Sequence, residues 1–234
     1  MLRAIAFLLL ASLSCACFAQ SSTWSPLGVL VHPAQEIKVP DAVQKAIPAN
    51  MVVRWMQQTQ LSSAGEISLI YDTGDEFEPK AHFAFIRNGV QVGDFRLVET
   101  LLNPGEPIDV FADTLTLSQA AEIPLQTDRR GLLAAFRNIG DGAATVFVLI
   151  TETNGKYSFA WHDWTSQAQF QIRPRGAFQI WNSMEGDNCV WCAHLYEVTN
   201  YQWKNETLVK ASHYTTKHAL SPYPFSENPI VVKP

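Results

Sequence analysis

Asn88-Gly89 and Asn154-Gly155 each stand between two apolar runs, the strongest short-range signal for a two-residue β-hairpin. Both residue types tolerate φ > 0, so the chain can reverse within two residues. Further turn signals fall at Thr73-Gly74-Asp75, Gly140-Asp141-Gly142 and Lys204-Asn205. The segments between them are short and rich in β-branched, aromatic and aliphatic side chains. Strands are therefore expected at 51–57, 66–72, 81–87, 95–102, 132–137, 144–151, 156–162, 168–172, 177–181, 196–203 and 207–214. Two stretches read otherwise. Residues 41–47 fit one or two helical turns capped by Asp41. Residues 113–123 fit neither period, and 118–122 read as a short helix. The fold class that follows is all-β, made mostly of antiparallel meanders, with little helix. Its expected architecture is a partial propeller, or else a β-sandwich or barrel. Only 17% of residues are charged and 11% are aromatic. This excludes a disordered chain and a coiled coil, both of which need many more charges.

The N-terminus reads as a secretory signal. Arg3 precedes an apolar run from Ala4 to Leu13, and small residues lead to Cys17-Phe18-Ala19. The run is too short to cross a bilayer of about 30 Å, so cleavage after Ala19 is expected. The expected organisation is a signal peptide at 1–19 and an irregular segment at 20–50. A single β-rich domain at 51–218 and a Pro-rich tail at 219–234 follow. The mature chain is expected in the periplasm or outside the cell, with no transmembrane segment. The acidic balance, 22 Asp and Glu against 17 Lys and Arg, argues against nucleic acid as a partner.

A faint internal repeat runs through the chain. Gly65, Gly74, Asp75, Asn88 and Gly89 recur 66 positions later as Gly131, Gly140, Asp141, Asn154 and Gly155. A looser third copy places Gly186-Asp187 and Lys204-Asn205 in the corresponding turns. Phe136-Arg137-Asn138-Ile139-Gly140-Asp141-Gly142-Ala143, with Val146 to Ile150 and Asn154-Gly155 beyond it, resembles the FG-GAP (VCBS-type) repeats of secreted bacterial proteins. The resemblance implies propeller-like blades, and loops that hold calcium through carboxylates. Asp75 and Asp141 are the carboxylates at the matching places. Arg137 and Ile139, and Tyr71 and Thr73 in the first copy, stand where that family carries other ligands. Calcium needs six to eight oxygens, so no cofactor is expected.

Chemistry concentrates in the last third. Cys189-Val190-Trp191-Cys192 holds the two cysteines left after signal cleavage, and in an exported chain a structural disulfide is its plainest reading. A redox pair would need a helix N-terminus behind it. A metal site would join Cys189 and Cys192 to His194, with His213 or His218 beyond. Five of the seven tryptophans fall between Trp161 and Trp203. Trp161, Trp181 and Trp203 sit in strands and are expected in the core. Trp164 and Trp191 are candidates for an exposed binding surface, with His162 and Asp163 beside them. Asp72, Asp75, Glu76 and Glu78 read as a solvated hairpin tip. No nucleophile elbow, zinc-protease helix or phosphate loop is present in the sequence.

The expected role is therefore a noncatalytic binding or accessory module for a protein or glycan partner. Two alternatives are a hydrolase of cell-envelope or carbohydrate material, which needs paired carboxylates in a cleft, and a metal-binding module using Cys189, Cys192 and His194.

Overall fold

The computed structural model describes residues 29–30, 37–97, 114–138, 144–166, 168–173, 176–184, 194–217 and 219. These residues are nearly all β. The first sheet is a meander of β2 (Val52–Thr59), β3 (Glu66–Asp72), β4 (His82–Arg87) and β5 (Val90–Arg96). The second contains β6 (Leu115–Gln126), β7 (Arg129–Asn138), β8 (Ala144–Thr153) and β9 (Lys156–Ser166). The third contains β10 (Ala168–Arg173), β11 (Ala177–Ser183), β12 (Tyr196–Lys204) and β13 (Thr207–Thr215). All pairings are antiparallel, and the short β1 (Val29–Leu30) adds to β6 at the edge of the second sheet. Among the described residues no sheet closes into a barrel.

The three sheets stack face to face, and the sequence of the middle one shows why. Leu132-Leu133-Ala134-Ala135-Phe136 and Phe147-Val148-Leu149-Ile150 are continuous apolar runs, as strands buried on both faces require. Alternate side chains of these runs enter different cores. Leu132, Ala134, Phe136, Val148 and Ile150 join Trp55, Ile70, Phe83 and Phe85 of the first sheet. Leu133, Ala135, Phe147 and Leu149 join Phe170, Phe178, Tyr201 and Trp203 of the third. The outer face of the first sheet is covered by α1 (Asp41–Gln44) and the turn after it, through Val43 and Ile47. Asp41 is the first helical residue and not the cap. The capping position belongs to Pro40, which has no side-chain oxygen to offer.

Each sheet turns from its third to its fourth strand on an Asn-led pair at positive φ: Asn88-Gly89, Asn154-Gly155 and Asn205-Glu206. Such turns match the right-handed twist of the flanking strands. Each fourth strand then carries one unpaired residue, Val92, Ala160 or Ala211, where the register slips. These bulges decide which side chains face the core. Without the slip at Val92, Asp94 would oppose Phe83, inside the first core. With it, Phe95 opposes Phe83 and Asp94 opposes Ala84 on the other face.

Two sequence expectations give way here. A strand was expected over 95–102, but β5 occupies Val90–Arg96 because the Asn88-Gly89 turn pairs Val90 with Arg87 at once. The helix expected at 118–122 is strand. A bulge at Ser118 puts Leu117 and Ala120 on one face and Ala121 and Ile123 on the other, which erased the period of two.

Candidate functional site

Trp164 lies on β9, an edge strand of the middle sheet. The bulge at Ala160 sets its direction. Before the bulge, Tyr157 and Phe159 pack toward the first sheet, where Tyr157 stacks on Phe85 with ring centroids 3.9 Å apart. After it, Trp161 turns to the third sheet and packs on Phe178 and Tyr201. His162 and Trp164 then share the face that opposes Val148 and Val146, and Trp164 remains 69% exposed. Large exposed aromatics on a fixed backbone serve as contact residues at binding surfaces, because they cover much area with few rotatable bonds.

Asp163 points the other way, as a neighbour in a strand must. Its Oδ2 accepts the Tyr201 hydroxyl at 2.8 Å, and its Oδ1 accepts the backbone N–H of Trp164 at 2.9 Å. Asp163 therefore ties the edge of β9 to the third sheet and fixes the backbone that carries Trp164. It does not pair with His162 as an acid–base couple. Burial and the Asp163 carboxylate raise the pKa of Tyr201, which keeps its hydroxyl a donor. Trp181 and Trp203 are buried and Trp161 half-buried, as expected of core positions.

Three further polar clusters come together that sequence spacing did not reveal. Glu66 is 1% exposed and its carboxylate is ringed by donors. Oε1 accepts from Thr59 Oγ1 at 2.9 Å and Leu61 N at 2.8 Å. Oε2 accepts from Ser62 Oγ at 2.6 Å, Ser62 N at 3.2 Å and Tyr157 Oη at 2.9 Å. Arg87 stands 3.6 Å away. On the outer face of the first sheet, Tyr71 donates to Asp94 at 2.8 Å and His82 Nδ1 lies 3.3 Å from the same carboxylate. Tyr71 and His82 also stack, with centroids 5.1 Å apart. Burial alone would push the Asp94 carboxyl up. Hydrogen bonds from His82, Tyr71 and Gln91 outweigh it and hold the pKa below the ordinary range. The third cluster is the bond of Asp72 to Arg54 Nε at 2.7 Å and to Gly74 N at 2.8 Å.

Asp75 spends its carboxylate internally. Its Oδ1 accepts the backbone N–H groups of Phe77 at 2.8 Å and Glu78 at 3.1 Å, which lower its pKa. It is a turn cap here. Asp141, Trp191, Cys189 and Cys192 lie outside the described residues. His194 is described: it is 3% exposed, and among the described residues neither ring nitrogen meets a hydrogen-bond partner. His213 is held by Thr199 at 3.1 Å. Among the described residues no three His, Cys, Asp or Glu side chains gather as a metal site, and no helix is long and apolar enough to cross a membrane.

The partners of Glu66 and Asp94 are up to 91 residues apart in sequence: strand register joins Asp94 to Tyr71 and His82, and the stacking of the first and second sheets brings Tyr157 to Glu66. No protein-family model, no curated protein and no solved structure matches the chain.

Proposed function

We propose that the chain is an exported, noncatalytic binding or accessory module, and that Trp164 with His162 forms the platform on which a glycan partner stacks. The observation that carries this reading is the 69% exposure of Trp164 on a strand whose backbone Asp163 pins. The buried carboxylates of Glu66 and Asp72 are committed to donors within the protein, which favours binding over hydrolysis. The three Asn-led turns at corresponding places support reading the meanders as variants of one unit, as the FG-GAP-type resemblance implies. The N-terminal apolar run supports export, with cleavage after Ala19.

The test is retention of the mature protein on peptidoglycan sacculi, chitin and a soluble oligosaccharide array, with Trp164→Ala beside it. The wild type is expected to be retained on at least one glycan, and the variant to lose about tenfold in affinity, the share a single aromatic anchor carries. No retention on any glycan, or equal retention of both proteins, overturns the reading.

One observation favours a second reading, metal binding. A buried imidazole with no hydrogen-bond partner for either nitrogen among the described residues is costly unless a ligand satisfies it, and His194 stands just after Cys189 and Cys192 in sequence. A metal module would carry two free thiols and stoichiometric zinc in protein purified without reductant. The disulfide reading expects neither.

A further inference from the structure

The loop between β3 and β4 carries Phe77, which is 79% exposed, more than any other large apolar side chain among the described residues. Asp75, Glu76 and Glu78 surround it in sequence and are all exposed. Loop tips usually carry small or polar residues, and an aromatic in this place makes no contribution to either core. The loop nevertheless holds one shape. Thr73 N donates to Pro79 O at 2.7 Å, Thr73 Oγ1 lies 3.0 Å from Glu78 O, and Asp75 caps Phe77 and Glu78. A second exposed apolar side chain stands at the base of the loop. Val52 is 39% exposed, and its Cγ2 would lie 2.9 Å from a Cβ on Gly74.

We propose that this loop is a protein-docking epitope, in which Phe77 enters an apolar pocket of a partner whose rim carries Lys or Arg. An aromatic on a loop closed by its own hydrogen bonds loses little freedom on binding. Lys80 pairs with Glu78 at 3.3 Å, and the three carboxylates against this one cation leave a net negative charge that selects a basic rim and speeds encounter. The same carboxylates disfavour an anionic lipid surface and a second copy of this chain, which would bring like charges together. A cation site is also disfavoured, because Asp75 Oδ1 already accepts two backbone N–H groups. The epitope lies on the first sheet and Trp164 on the second, so the two surfaces are tested by separate variants.

The experiment places a photoreactive phenylalanine analogue at position 77 of the full chain, in the cells that make it, with the same analogue at exposed Lys204 as control. The expected result is an adduct with one protein from position 77 and none from 204. The cross-linked site should map to an apolar pocket flanked by Lys or Arg. Binding of that purified protein should weaken about tenfold or more with Phe77→Ala, and comparably with Glu76→Lys plus Glu78→Lys. It should also weaken as salt is raised. Phe77→Ala should leave the melting temperature unchanged, which separates docking from a structural role. An adduct with lipid or with a second copy, no adduct, or a partner that binds Phe77→Ala as tightly as wild type overturns the proposal.

Discussion

Glu66 is buried, and its carboxylate is surrounded by donors from residues 59–62 and from Tyr157 on the next sheet. A charge so placed is tolerated only while its hydrogen bonds are complete. Glu66→Ala strands several buried donors at once and is expected to cost about 3–5 kcal/mol. Tyr157→Phe removes the bond donated to the Glu66 carboxylate and the longer one accepted from Arg87 Nη2 at 3.3 Å, and is expected to cost about 1.5–3 kcal/mol. Urea unfolding checks both: the midpoint should fall while the slope stays constant. A loss below about 1 kcal/mol for Glu66→Ala contradicts the role given to this carboxylate. None of this was legible in the sequence. Gly65-Glu66-Ile67 reads as the start of an ordinary strand, and burial of Glu66 depends on a tyrosine 91 residues away. The exposure of Trp164 was legible, because it falls beyond the strand expected at 156–162, although β9 runs on to Ser166 and carries Trp164 on a strand and not in a loop.

At the scale of the elements, turn chemistry was readable and bulges were not. Asn-Gly announces the reversals at 88–89 and 154–155, and the structure has them there. The slips at Val92, Ala160 and Ser118 leave no signature in residue type, yet they decide the faces of Asp94, Trp164 and Ala120. The third turn departs from Asn-Gly, and Glu206 takes a left-handed φ of 65°. Only glycine adopts that conformation without steric cost. Glu206→Gly is therefore expected to stabilise the protein by about 1 kcal/mol, even though it removes the pair with half-buried Arg129 at 3.3 Å, since a pair whose carboxylate is 77% exposed contributes little. A lower thermal midpoint for this variant contradicts the argument. Gly93 illustrates a different constraint. A Cβ there would meet Tyr157 at 2.9 Å and Phe85 at 3.2 Å, so the Phe85–Tyr157 stack depends on its absence.

At the scale of the whole molecule, a tyrosine–carboxylate bond crosses each interface between neighbouring sheets of the described residues: Tyr157 to Glu66 and Tyr201 to Asp163. Tyr71 makes a third such bond within the first sheet. Burial, then the adjacent carboxylate, raises the pKa of all three hydroxyls. A raised folded pKa means stability that is complete below the unfolded value of about 10 and is lost as pH climbs through the folded values. The protein should therefore unfold cooperatively in alkali, and the tyrosinate absorbance of these three residues should appear with unfolding. Tyrosinate absorbance rising fully before loss of circular dichroism contradicts this. Asp94 acts on the acid side. Its depressed pKa contributes stability above the unfolded carboxyl value of about 4, which is lost as pH falls through the folded one. The stacking of three sheets was half-legible. The apolar runs of β7 and β8 signal burial on both faces, but residue type does not tell which sheet lies on which face.

The central claim is that the module binds through Trp164. Indole ¹H–¹⁵N spectra, recorded while the retained glycan is added, test it most directly. The account predicts that the Trp164 signal shifts in proportion to occupancy, while those of buried Trp55, Trp181 and Trp203 stay in place. A stationary Trp164 signal at saturation contradicts it.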